Sequence, residues 1–117
     1  GLVQQKDGVR IYGAGIASSY TESVFALDDA SPNRIGFDLE RVMRTRYRID
    51  DFQESYFVID GLDQLLELAT IDFAPLYDRI AGRPDHEPGT VLPSDRVVSR
   101  GTGQYHLERR NSAKASI

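Results

Sequence analysis

Side chains able to bind a metal or to transfer protons are sparse in this sequence. The chain has no cysteine, and its two histidines, His86 and His106, lie far apart in a stretch rich in proline and glycine. That spacing does not turn two imidazoles toward one ion on a single helix face. We therefore interpret both histidines as exposed residues of a mobile arm. The sequence predicts neither a complete metal site nor a Ser-His-Asp system within this chain.

Carboxylates and arginines form the next group of candidates. The pairs Asp28-Asp29 and Asp50-Asp51 have the chemistry of paired catalytic carboxylates, but each lies in a polar connection, where aspartate commonly caps a helix or forms a turn. The arginines between Arg41 and Arg48 have acidic neighbours such as Glu40 and Glu54. This pattern favours a salt-bridged, solvated face or a subunit contact over a phosphate or nucleic-acid site.

A third candidate is the run of small residues in "RIYGAGIASSYTES", from Arg10 to Ser23. Glycine here admits a close-packed turn, and it equally lets backbone groups and hydroxyls line a small-molecule pocket. Gly13-x-Gly15 also matches part of a dinucleotide-binding fingerprint. However, Ser18 replaces the third glycine and no βαβ unit follows, which disfavours nucleotide binding. From the residues alone, this run can be either a close-packed turn or the wall of a pocket.

Bulk composition places the chain among ordinary globular proteins. It has 117 residues, 40% of them hydrophobic and 27% charged, with a formal net charge of −4. That charge does not favour nucleic acid or an anionic membrane surface as partner, and no apolar run approaches the length of a membrane span. We expect one small domain in the cytoplasm, without nucleic-acid or membrane partners.

Short strands and helices alternate from Leu2 to Asp60. Leu2–Gln5 and Val9–Tyr12 are predicted to form a hairpin around an Asp-Gly turn. Ser18 or Ser19 is placed to cap a short helix over "YTESVFAL", with Glu22 completing a capping box, before a loop from Asp28 to Asn33. Asp38 is placed to cap a helix over "FDLERVMRTRY", and "SYFVID" is typical of a strand.

The rest of the chain divides into a helical part and an arm. Leu62 to Ile80 keeps the spacing of an amphipathic helix, but Pro75 predicts a division into two helices, the second starting at Asp72. From Gly82 onward, proline and glycine predict an irregular arm with at most a short strand at "RVVS". The last residues, "LERRNSAKASI", are predicted to be a frayed tail.

The quoted motifs resemble a known family. "RIYGAGIASSYTES", followed by "SPNRIGFDLERVMRTRYRIDDFQESYFVID", is similar to the C-terminal half of the catalytic domain of the aromatic amino acid hydroxylases, in particular the bacterial phenylalanine-hydroxylating members. The resemblance implies a mainly α fold with small β elements (α+β). Residues 1–80 would be the C-terminal part of the catalytic domain, and residues 81–117 an arm and tail.

The resemblance also implies a pterin-dependent monooxygenase that uses Fe(II), tetrahydrobiopterin and O₂ to convert L-phenylalanine to L-tyrosine. In the family, iron is held by two histidines and a glutamate. Gly1-Leu2 matches the two residues that follow the glutamate motif, so all three ligands are expected upstream of Gly1. The resemblance therefore implies a partial chain that is inactive alone and that holds no catalytic or metal-binding residue of its own.

Three residues are carried over as candidate substrate contacts. By resemblance, Gly15 and Ser18 would line the amino-acid pocket, with Ser18 bonded to the substrate carboxylate or to an iron-ligating histidine. Glu22 would orient the polar network behind Ser18. We expect a monomer. The alternative from another class is a non-catalytic interaction module that kept the hydroxylase fold.

Overall fold

The computed structural model describes residues 2–12, 19–46, 48 and 51–115, and these form five strands and five helices. The strands are β1 Leu2–Gln5, β2 Gly8–Ile11, β3 Asn33–Gly36, β4 Ser55–Ile59 and β5 Val97–Ser99. The helices are α1 Tyr20–Asp28, α2 Leu39–Met43, α3 Leu62–Leu68, α4 Ala74–Ile80 and α5 Gln104–Ala115. This mixture agrees with the α+β class that the sequence predicts.

The strands form one mixed sheet in the order β2-β1-β4-β3-β5. β4 lies at its centre and runs parallel to both β1 and β3, while β2 and β5 pair antiparallel at the edges. A strand covered on both faces needs apolar residues on both, and Tyr56, Val58 and Ile59 of β4 are all buried. The main core joins Leu2 and β4 to Phe25 and Ala26 of α1.

Local signals in the sequence are confirmed where they act between near neighbours in the chain. The hairpin forms as predicted, with Gly8 at a φ of 133° that disfavours any side chain. The hydroxyl of Ser19 accepts a hydrogen bond from the Glu22 amide at the start of α1, and the carboxylate of Asp38 accepts one from the Arg41 amide at the start of α2. Pro75 stands in the first turn of α4, so the predicted division into two helices is also confirmed.

Two predicted boundaries in the first half are wrong. The loop expected from Asp28 to Asn33 is shorter, because Asn33 already begins β3, which is hydrogen-bonded between β4 and β5. The helix expected over "FDLERVMRTRY" ends at Met43, since the backbone of residues 44–46 turns instead to pair with His86. Backbone partners that are distant along the chain decided both boundaries.

The predicted frayed tail is also wrong, because α5 runs from Gln104 to Ala115. Its start is held by two hydroxyls: that of Thr102 accepts from the Gln104 amide, and that of the buried Ser31 accepts from the Tyr105 amide. A terminal segment stays ordered when it is tied to the core in this way. Within the arm, the short strand expected at "RVVS" is confirmed as β5.

Candidate functional site

Glu22 connects the first turn of α1 to the centre of the sheet. Its Oε2 atom accepts a hydrogen bond of 2.9 Å from the Tyr56 hydroxyl and one of 3.3 Å from the Gln53 amide. Tyr56 lies on the central strand, and Gln53 lies in the segment that leads into it. The carboxylate is therefore held at one position by two donors, one on the central strand and one in the segment before it.

Tyr56 supplies the strongest electrostatic signature of this network. Its side chain is 4% exposed, and burial together with the hydrogen bond to Glu22 raises the pKa of the phenol far above its usual value. A phenol in this state stays protonated and remains a hydrogen-bond donor across the physiological range. Tyr56 thus fixes the orientation of Glu22 and does not itself exchange protons.

The three substrate-side candidates from the sequence fall in two places. Gly15 and Ser18 lie in the stretch 13–18, outside the described residues. Glu22 follows that stretch by one helical turn and belongs to the network just described. The resemblance implied that Glu22 orients a polar network behind Ser18, and it did not name Tyr56 or Gln53 as partners of Glu22. Tyr56 and Gln53 both stand in the "DFQESYFV" motif, which is the signal from which they could have been found.

The segment before β4 is held from its other side by α5. The Tyr105 hydroxyl donates to Asp51 Oδ1 at 2.8 Å, and Arg109 Nε donates to Asp51 Oδ2 at 3.2 Å. Partial burial acts to raise the pKa of Asp51, but the hydrogen bonds from Tyr105, the Phe52 amide and Arg109 outweigh it and lower the pKa. Burial and the bond to Asp51 raise the pKa of Tyr105. Asp51 therefore has a structural role, as its place in a polar connection suggested.

His106 corrects the expectation that both histidines are exposed. Its side chain is 2% exposed, and its Nε2 atom donates to the Phe52 carbonyl at 2.7 Å. The ring stands edge-on to Phe25 and Tyr105, while Nδ1 is buried without a hydrogen-bond partner among the described residues. The sequence could not show this, because Phe25 and Phe52 are distant from His106 along the chain.

Three arginines of the run, Arg41, Arg46 and Arg48, form salt bridges as predicted, but only part of the run is solvated. Arg44 instead donates to the Pro84 carbonyl. Arg48 pairs with Glu54, and Arg46 with Glu87, on or near the surface. Arg41 instead lies buried, with its guanidinium bonded to both carboxylate oxygens of Asp95 at 2.9 and 3.2 Å. Asp95 belongs to the arm, so its carboxylate compensates the buried charge on α2 across a long loop.

The described residues do not fit an iron centre. No group of three histidines or carboxylates among them is arranged to hold a metal ion. His106, the more buried of the two histidines, already donates its Nε2 proton to a backbone carbonyl. What this part of the chain offers is the carboxylate of Glu22, held at the start of α1 by two hydrogen-bond donors. Within it, no helix has both the length and the hydropathy that crossing a bilayer requires.

Comparison with known proteins agrees with the family resemblance seen in the sequence. Residues 1–79 match the profile of the biopterin-dependent aromatic amino acid hydroxylases. The chain is 59% identical over 105 residues to the phenylalanine-4-hydroxylase of Caulobacter vibrioides and 56% identical over 102 residues to that of Ralstonia nicotianae. These matches cover 90% and 87% of this chain, but 36% and 33% of the relatives. The chain thus spans about a third of the length of these relatives.

The solved structures that this chain resembles are also phenylalanine hydroxylases. The structure of phenylalanine hydroxylase from Chromobacterium violaceum bound to cobalt aligns with a TM-score of 0.78 at 55% identity, covering 84% of this chain and 35% of that one. A match of 105 residues is longer than the part of the chain before the arm, so the similarity to the Caulobacter protein extends into the arm. The arm is therefore part of what this chain shares with its bacterial relatives.

Proposed function

Because this chain belongs to the biopterin-dependent aromatic amino acid hydroxylase family, we propose that it forms the substrate-pocket wall of a phenylalanine 4-hydroxylase. Together with the rest of the catalytic domain it would take part in the conversion of L-phenylalanine and O₂ to L-tyrosine. The observation that carries the proposal is the 59% identity to the Caulobacter enzyme over 90% of the chain. Fe(II) and tetrahydrobiopterin would be bound by residues outside this chain.

The residues of this chain would bind and orient the substrate and take no part in electron transfer. Gly15 would leave room for the amino-acid end of phenylalanine, and Ser18 would hydrogen-bond its carboxylate or a ligating histidine. Glu22 would hold that polar region in place through its bonds to Tyr56 and Gln53. A carboxylate fixed by two donors keeps its geometry when the ligand enters, which lowers the cost of binding. We propose a monomeric, cytoplasmic enzyme.

A chimaera tests this function. The matching segment of the Chromobacterium violaceum hydroxylase is replaced by this chain, and tyrosine formation from phenylalanine is measured with pterin and iron supplied. We expect hydroxylation at a rate within about tenfold of the unmodified host, since only the wall of the pocket has changed. A folded chimaera that binds iron and pterin but forms no tyrosine would refute the proposal.

Ser18→Ala in the chimaera tests the substrate-side role more finely. Loss of a charge-assisted hydrogen bond is expected to raise KM for phenylalanine or lower kcat by about tenfold. Ser19→Ala is the matched control, because Ser19 caps α1 and is not assigned to the pocket. If Ser18→Ala keeps the kinetics of the parent chimaera, Ser18 does not contact the substrate.

A non-catalytic interaction module is the second candidate, and one observation favours it. Leu62 and Leu66 on α3 and Tyr77 on α4 are each more than half exposed, which leaves large apolar side chains available to a partner. If this second function is correct, the isolated chain unfolds cooperatively and captures a protein partner in the absence of iron. Failure of the chimaera to hydroxylate phenylalanine, combined with such capture, would select this function over the first.

A further inference from the structure

α5 holds successive parts of the segment that leads into β4. Tyr105 and Arg109 both bond to the Asp51 carboxylate, and His106 donates to the Phe52 carbonyl. The Phe52 ring stacks on Phe25 of α1 at a centroid distance of 4.7 Å and contacts the Tyr105 ring at 5.3 Å. Both the backbone and the side chain of this segment are therefore placed by the arm.

The next residue transmits that placement to Glu22. The Gln53 amide donates to Glu22 Oε2. The Gln53 side chain is itself fixed by two bonds to the backbone of Arg48, donating to its carbonyl at 2.7 Å and accepting from its amide at 3.0 Å. A shift of Phe52 would therefore move the Gln53 donor away from the carboxylate. Hydrogen bonds from α5 to residues 51 and 52, the backbone that joins these to Gln53, and the bond from the Gln53 amide thus connect α5 to the Glu22 carboxylate.

The hydrogen-bond donor of His106 distinguishes it from an apolar side chain of similar size. The residue is 2% exposed, and its Nε2 atom donates to the Phe52 carbonyl at 2.7 Å. An apolar residue could fill the same space beside Phe25 and Tyr105, but it could not make that bond.

We propose that α5 acts as a clamp in which Tyr105 and His106 are positioning residues for Glu22. The clamp rests on the function proposed above, because that function gives Glu22 its purpose at the amino-acid end of the pocket. Neither residue touches the substrate. Each acts through the 51–53 segment, so loss of the clamp changes where the Glu22 carboxylate lies and leaves the chemical step itself intact.

Amide hydrogen exchange in the folded chimaera tests the clamp by a measurement that does not depend on activity. Four variants are compared: Tyr105→Phe, His106→Leu, His106→Gln and Leu107→Ala. Tyr105→Phe and His106→Leu are expected to speed exchange of the Gln53 amide by about tenfold, because each removes one bond to the segment. The Phe37 amide, which donates to the Val58 carbonyl within the sheet, should change less than about twofold.

The other two variants are the controls. His106→Gln keeps an N–H near the Nε2 position and should restore wild-type exchange, while Leu107 is exposed on the same helix and should have no effect. Unchanged Gln53 exchange, or equal acceleration at Gln53 and Phe37, would overturn the clamp. If the His106→Leu variant does not fold, the Tyr105→Phe variant still tests the clamp, because it keeps the volume of the aromatic ring.

Kinetics of the chimaera separate failure of the clamp from failure of the proposed function. Tyr105→Phe is expected to raise KM for phenylalanine about threefold to tenfold with kcat within about twofold. A fall in kcat as large as the rise in KM would refute the positioning role. If the parent chimaera forms no tyrosine while the exchange result holds, the clamp stands and the hydroxylase function fails.

Discussion

The sequences of helices α3 and α4 suggest buried elements, and the sequence of the arm that begins at Gly82 suggests an exposed one. The structure largely reverses this. The helix pair has the amphipathic spacing of a core element, yet Leu66 is 68% exposed and no residue of α3 is buried. The arm is rich in proline and glycine, yet it supplies the buried Asp95 carboxylate, the buried His106 ring and an edge strand. Hydrophobic spacing indicates that a face can be buried, but only a partner element buries it.

The largest expected effect comes from breaking the buried ion pair of the arm. Asp95→Ala leaves the Arg41 guanidinium buried without its counter-charge, which typically costs about 3–5 kcal/mol of unfolding free energy. Asp60→Ala is the matched control: Asp60 and Arg96 also lie 2.9 Å apart, but both side chains are more than half exposed. Unfolding free energies of both variants are measured by urea titration, and the loss for Asp60→Ala should stay below about 1 kcal/mol. Equal losses would show that the arm is not an integral part of the core.

Gly101 tests how closely the arm contacts the body. A Cβ atom at this position would overlap the Ser31 carbonyl and the Pro32 backbone, which are not flexible side-chain ends. Gly101→Ala should therefore force the arm outward and destabilise the protein by about 1–3 kcal/mol, measured by thermal unfolding. Wild-type stability in this variant would mean that the arm is loosely packed, and the contrast with α3–α4 would disappear.

The Asp51 contacts predict a pH dependence of stability. The folded-state pKa of Asp51 lies below its usual value of 3.8, so the ionised carboxylate stabilises the fold above that pH, and this contribution is lost as the pH falls through the folded-state pKa. The difference in unfolding free energy between wild type and Asp51→Asn should be greatest above about pH 5 and shrink below about pH 4. A difference that stays constant over this range would exclude the charge as its cause.

The smallest effect is expected on α3. Leu66→Ser should change the unfolding free energy by less than about 0.5 kcal/mol, because the side chain is already exposed in the folded chain. Leu76→Ser in α4 provides the contrast, since Leu76 is buried and its replacement should cost about 2–5 kcal/mol. Denaturant unfolding of both variants at one protein concentration compares them. A large loss for Leu66→Ser would show that this face is buried in solution.

The sequence by itself determined the features that depend on near neighbours in the chain. Ser19 and Asp38 cap their helices because their side chains reach the amides three positions further along the chain. Pro75 divides the helical stretch in two because proline has no backbone N–H to donate inside a helix. The resemblance to the hydroxylases, carried by "YGAGIASS" and "DFQESYFV", was likewise present in the residues alone.

Tertiary structure decided burial and the network around Glu22. Arg41 pairs with Asp95 over 54 positions, His106 reaches Phe52 over 54, and Tyr56 reaches Glu22 over 34. No local pattern encodes such contacts, because they depend on which strands pair and on how the arm returns to the sheet. The sequence therefore determined where most elements begin and what their residues can do. The fold determined which charges and rings are removed from water, and hence which carboxylate is held in place.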